Sequence, residues 1–173
     1  MWSSDQLARR RAALATALAF GLPLVLYALT ATRTVQGGDT AEFVMVAATG
    51  GVPHPPGYPL HGMLARLFAA VPSGSAPFRV ALLSAVCAAA AVALLQRALW
   101  RLTGSLGASL GAALAFAVAP IQWQLAGVPE VFSLAALCAA LTLLCASRLA
   151  DAGPERAGRE GMLLGLSAGL GLA

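Results

Sequence analysis

The chain has 173 residues, 59% of them hydrophobic and only 10% charged, with a mean hydropathy of +0.79. That composition argues against a soluble globular domain and for an integral membrane protein. The net charge of +4 comes from eleven arginines and no lysine, and no basic patch with interleaved aromatics accompanies it, so nucleic acid is not an expected partner.

Taken in order, Arg9-Arg10-Arg11 precede an uncharged run from Ala12 to Thr32. That run is longer than the ~7–15-residue apolar core of a signal peptide, so it reads as a signal-anchor span near 12–31 with a cytoplasmic N-terminus. Gly21 and Pro23 predict a kink, and Tyr27 is expected in an interfacial aromatic belt. A loop over 32–77 follows. Gly37-Gly38 end the first helix, and Thr40–Thr49 is expected as a short helix stopped by Gly50-Gly51. Pro53-His54-Pro55-Pro56-Gly57-Tyr58-Pro59 is expected to be extended and rigid. In Leu60–Val71 the residues Leu60, Met63, Leu64, Leu67, Phe68 and Val71 share one helical face, opposite His61, Arg66 and small residues. About twelve residues would cover only ~18 Å, too short to cross, so this segment is expected to lie in the membrane interface. Further spans are expected near 78–98, 104–122, 130–148 and 161–173, giving an all-α polytopic membrane protein with about five transmembrane helices. Cys87, Cys138 and Cys145 fall inside spans as small packing residues, and Trp100 and Trp123 sit near span ends as belt residues. The apolar run that closes the chain suggests the N-terminal part of a longer transmembrane domain.

Arginine position orients the chain. With Leu60–Val71 not crossing, Arg9, Arg10, Arg11, Arg97, Arg101, Arg148, Arg156 and Arg159 lie inside and Arg33, Arg66 and Arg79 outside, an eight-to-three split in the sense of the positive-inside rule. Asp39, Glu42 and Glu130 then share the outer side.

Two carboxylates three residues apart, Asp39 and Glu42, lie on the first turn of the short helix. D-x-x-E is a helix-capping pattern, and equally a place for a carboxylate general base. Glu130 after Pro129 suits a helix start or an acceptor-orienting or divalent-metal role. His54 could donate to a phosphate or sugar, and Arg66 and Arg79 are the cations nearest the loop for a phosphate, or else snorkelling residues. His54 and His61 lack the spacing of a helical metal pair. No metal ligand set is assigned and no cofactor is certain.

The stretch GDTAEFVMVAATGGVPHPPGYPLHGMLARLFAAVP, from Gly38, resembles the signature of the "domain of unknown function 2723" family. That family includes the transmembrane protein 260-type O-mannosyltransferases and belongs to the GT-C superfamily of membrane glycosyltransferases. WQLAGVPEVFSL, from Trp123 to Leu134, is similar to the family's next outer-side motif. His61 stands where an aromatic is more usual, and Ala135 where Asn is. The resemblance implies a GT-C fold and inverting transfer of a sugar, mannose in the named relatives, from a polyprenyl-phosphate-linked donor to a protein or glycan hydroxyl on the outer face of an inner or plasma membrane. With the reading of the residues themselves, it makes Asp39 and Glu42 the candidate catalytic residues, and His54, Tyr58, Arg66, Arg79 and Glu130 the candidate substrate contacts. Because such a site needs later spans, the 173-residue piece alone is expected to transfer no sugar. The rival classes are a transporter or channel, whose polar residues would line a path inside the spans, and a non-catalytic membrane subunit.

Overall fold

The computed structural model describes residues 3–172, and the regular structure among them is helical throughout. α1 (Ser4–Thr30) opens on a capping box in which Ser3 Oγ accepts from the Gln6 amide and the Gln6 side chain accepts from the Ser3 amide; two of the first orphan donors are satisfied this way. It continues as one helix through Gly21 and Pro23. α2 (Thr40–Thr49) and α3 (Pro59–Ala69) form a short hairpin, followed by α4 (Ala76–Thr103), α5 (Leu106–Ala117), α6 (Pro120–Ala126), α7 (Phe132–Ala150) and α8 (Pro154–Leu172).

α4 is the central strut, packed by α1, α5 and α7. Its Ala81, Ala85, Ala88 and Ala89 are fully buried, and small side chains let the helix backbones approach closely, as membrane bundles require. One polar clamp crosses this alanine core. Thr16 Oγ1 donates to Gln96 Oε1 at 2.9 Å, and Gln96 Nε2 donates to Ser109 Oγ at 3.2 Å, tying α1, α4 and α5 together. Cys87, Cys138 and Cys145 are buried free thiols, as expected of packing residues.

Three helices, α1, α4 and α7, are long and apolar enough to cross a membrane, or four if α5 and α6 count as one broken span. α8 covers the fifth expected span. It begins at Pro154, so Glu155, Arg156, Arg159 and Glu160 ride on its first turns, and the last expected residue, 173, lies outside the described residues.

The structure changes three expectations. First, the segment 104–122 is not straight: α5 and α6 meet at 66°. Ala119, forced out of the helical region by the proline after it, is extended at φ −59°, ψ 133°, as pre-proline sterics require. Second, Tyr27 is no belt residue. It is fully buried, and its hydroxyl donates to the Ala117 carbonyl at 2.7 Å, satisfying an acceptor that the break leaves without a helical donor. Trp123 does sit at a span end, donating its indole N–H to Thr30 Oγ1. Third, residues 53–58 fold into a tight turn, closed by the Gly57 amide donating to the His54 carbonyl at 2.9 Å, instead of running extended. α3 buries the small-residue face opposite its apolar one, with Leu64 and Phe68 at the edge of the contact. Met63 and Leu67 are 71% and 68% exposed, whereas His61 and Ala65 are buried. Ala65 and Ala69 let α3 close on α2 and α4, joining Ala47, Val80 and Leu83 in one cluster that takes Leu64 and Phe68 at its edge. The larger Met63 and Leu67 stay outside with Met45 and Val52, an apolar surface suited to an interfacial helix.

His61 is a buried polar group in that contact. It is 3% exposed, both ring nitrogens lack a partner, and its ring meets Phe43 edge-on at 5.0 Å. Burial pushes its pKa down to about 4. A histidine depressed in the folded state stabilises fully above its unfolded pKa of ~6.5 and loses that contribution as pH falls toward 4. The melting temperature of the wild-type chain should therefore fall, by something on the order of 5 °C between pH 7 and pH 4, relative to His61→Phe, which keeps the aromatic contact without the proton. Parallel pH profiles for the two proteins would contradict this.

Candidate active site on the first loop

The loop after α1 is pinned before it turns. The Thr32 amide donates to the Gly127 carbonyl at 2.8 Å, and Ser75 Oγ donates to the Arg33 carbonyl at 2.6 Å. Gly38 at φ 75° supplies the left-handed step that an L-residue with a Cβ resists. Thr40, buried, then donates from Oγ1 to the Gln36 carbonyl at 2.7 Å and starts α2.

The capping box suggested by D-x-x-E does not form. A capping residue needs extended backbone so that its side chain can reach the next amides, but Asp39 is helical at φ −82°, ψ −2° and makes no side-chain cap bond. Glu42 does not reach back either. Its carboxylate is occupied by His54 twice: the His54 amide donates to Oε1 at 2.7 Å, and Nδ1 lies 2.6 Å from Oε2. This grip fixes the tight turn over the first turn of α2. It leaves His54 Nε2 facing Asp39 Oδ2 at 3.8 Å, with the Asp39 side chain 58% exposed. Asp39 is thus an open carboxylate beside an oriented imidazole.

Phe43 is the hub beneath these groups, and sequence reasoning passed over it. Nearly fully buried, it meets His54 at 6.1 Å, Tyr58 at 5.8 Å and His61 at 5.0 Å between ring centroids, while His54 and Tyr58 meet at 5.6 Å. The available signal was its place directly after Glu42 as the one aromatic in the Thr40–Thr49 stretch. Tyr58 is held at φ 42°, a strained conformation for a residue with a Cβ, and the ring contacts hold it there. Edge-on contacts of this kind are favoured by the ring quadrupoles.

The charges interact in the expected sense. The hydrogen bond from the His54 ring, then that from its amide, hold Glu42 below the ordinary carboxylate range. The same bond raises His54 above its usual value, with the charges of Glu42, Asp39 and Glu130 adding to it. Glu130 is raised, first by burial and then by the charge of Asp39. It is delivered to this neighbourhood from the start of α7 by Ser84 of α4, whose hydroxyl donates to the Glu130 carbonyl at 3.2 Å and accepts from its amide at 3.4 Å.

Asp39, Glu42, His54 and Tyr58 are therefore brought together, with Glu130 within their field. Arg66 and Arg79 are not. They line a separate cavity of about 310 Å³ between α2, α3 and α4, walled by Val44, Ala47, Ala69 and Val80. Arg79 donates to the Val71 carbonyl just past the end of α3. Arg66 lies against Gly50, the left-handed glycine at φ 79° that ends α2, where any Cβ would collide with the guanidinium. As for metal ligands, His54 has acids and not His61 as its neighbours. One donor atom each from Asp39, Glu42 and His54 lie within 4.8 Å of one another, a grouping that linear spacing did not reveal.

An all-helical membrane protein carrying a carboxylate–imidazole site on the loop after its first long apolar helix is the class that fold and site define. Residues 39–173 match the family model of the protein O-mannosyl-transferase TMEM260 N-terminal domain. The chain belongs to that family, and the match begins at Asp39 itself. Protein O-mannosyl-transferase TMEM260 of Mus musculus is 36% identical over 134 residues, covering 77% of this chain and 19% of the relative. Protein O-mannosyl-transferase tmem260 of Dictyostelium discoideum is 28% identical over 113 residues, covering 64% of this chain and 14% of the relative. The chain thus spans less than a fifth of the length of either. No solved structure matches it.

Proposed function

We propose that this chain forms the donor-side part of a membrane O-mannosyltransferase, with Asp39 as general base. The observation that carries the reading is the Asp39 carboxylate: free of any capping bond, exposed, and set beside an imidazole that Glu42 holds in place. In inverting transfer, an acceptor hydroxyl oxygen attacks the anomeric carbon as the carboxylate takes its proton. The bond from that carbon to the phosphate oxygen breaks with its electron pair, and polyprenyl phosphate leaves. Names of relatives favour mannose as the sugar and a protein as the acceptor.

The other residues take supporting roles in this proposal. His54 and Tyr58 form the wall against which the sugar rests, and Glu130 orients the acceptor. The alanine-floored cavity with Arg66 and Arg79 suits a lipid-linked phosphate, two guanidiniums for the charge and an apolar floor for the first isoprene units. A transporter is disfavoured because the buried polar groups Thr16, Gln96 and Ser109 satisfy one another across the bundle. We place the site on the outer side of an inner or plasma membrane, following the arginine split.

That orientation predicts that a cysteine at Ser73 reacts with a membrane-impermeant thiol reagent in intact cells and one at Ala152 does not. Labelling at 152 but not at 73 would reverse it.

The base assignment has a sharper test in the full-length protein that carries this domain. Asp39→Asn should fold normally, because Asp39 donates nothing to the helix cap, yet lose mannose transfer by ~10²–10⁴-fold while still binding the donor. Transfer by Asp39→Asn at the wild-type rate would remove Asp39 from the mechanism.

A further inference from the structure

His54 is presented as metal-binding histidines are. Such a residue keeps one ring nitrogen for the ion and gives the other N–H to a carboxylate, which fixes tautomer and ring plane. Here Glu42 takes Nδ1 at 2.6 Å and the amide of the same residue at 2.7 Å, so Nε2 is the free nitrogen. Nε2 lies 3.8 Å from Asp39 Oδ2. That separation is too long for a hydrogen bond. It is shorter than about 4.1 Å, the widest span of two ligands that each sit ~2.05 Å from a shared ion. The ion pairs at Asp39 and Glu42 are both with His54, so this cluster carries two carboxylates against a single imidazole, with Glu130 within range of their field.

We propose that Asp39 Oδ2 and His54 Nε2 are two ligands of one divalent cation, with Glu42 as the positioning residue that aims the imidazole. An oxygen and nitrogen donor set of this kind suits Mn²⁺ or Zn²⁺ better than Ca²⁺. Two protein ligands leave coordination positions open toward the exposed side of the loop, where water or an acceptor hydroxyl can complete the shell. The acceptor's part rests on the proposed transferase function; the ion site itself does not. Binding through Oδ2 leaves Oδ1 of Asp39 for the proton.

The test uses Mn²⁺ as probe on the purified chain in phosphatidylcholine nanodiscs, without donor or acceptor, read by electron paramagnetic resonance. One Mn²⁺ should bind per chain, with the ¹⁴N modulation of a coordinated imidazole. His54→Ala should abolish that modulation and Asp39→Asn should weaken binding, while Glu42→Gln should raise the dissociation constant about 10–100-fold. His61→Phe should change nothing. Circular dichroism checks that each variant keeps its helices; if His54→Ala does not, Asp39→Asn, which removes no hydrogen bond, carries the test. No Mn²⁺ bound at millimolar concentration, bound Mn²⁺ without ¹⁴N modulation, or binding unaffected by Asp39→Asn would each overturn the site. Because no sugar transfer is measured, a failure here leaves Asp39 standing as base, and a failure of Asp39 as base leaves the ion site standing.

Discussion

Glu42 accepts two hydrogen bonds from one residue, His54, and the organisation of the loop depends on that grip. A carboxylate bound by a ring and an amide at once fixes both the position and the plane of the imidazole, and charge-assisted bonds of this length are the strong ones. Without it the proline turn would keep only its ring contacts with Phe43 of α2, and nothing would aim His54 at Asp39. The grip also explains why the capping pattern fails: the acid that would have completed a capping box is already engaged, and Asp39 is left free.

The membrane bundle serves this arrangement by holding its ends. Alanine on α4 allows close packing, and the Thr16–Gln96–Ser109 clamp fixes how α1, α4 and α5 sit against each other. From that frame Ser84 positions Glu130, Gly127 anchors Thr32, and the break between α5 and α6 turns the Trp123–Glu130 stretch toward the loop. Tyr27 stabilises the break by capping the carbonyl it exposes. The two stretches that resemble a glycosyltransferase family are thus carried by different helices, the second anchored by its Gly127 carbonyl to Thr32 and by Glu130 to the Ser84 hydroxyl.

Much of this was legible in the sequence for physical reasons. Uncharged runs long enough for a bilayer located α1, α4 and α7, and glycine pairs bounded α2 to the residue, because a left-handed Gly50 ends a helix wherever it falls. What periodicity could not show was which neighbour each face would meet. α3 is amphipathic, and in a membrane protein its apolar face can turn to lipid while the close contact falls to Ala65 and His61. Tyr27 was misplaced for the same reason: a tyrosine near a span end suits an aromatic belt unless a broken helix nearby offers an acceptor. The site residues Asp39, Glu42, His54 and Tyr58 were picked out individually. Their joining through Phe43 and the Glu42–His54 bonds depends on a turn where an extended segment was expected. Arg66 and Arg79, grouped with them by sequence proximity, line a cavity between α2, α3 and α4 instead.

The central claim is that sugar transfer happens at the Asp39 face of this loop. An experimental structure of the full-length protein with a non-transferable polyprenyl-phosphate mannose analogue and an acceptor peptide tests it most directly. The account predicts the acceptor hydroxyl within about 3–3.5 Å of the anomeric carbon and within hydrogen-bonding distance, about 2.6–3.2 Å, of an Asp39 carboxylate oxygen. His54 should still be gripped by Glu42. A bound analogue whose anomeric carbon lies against another carboxylate, with Asp39 facing solvent, would contradict it.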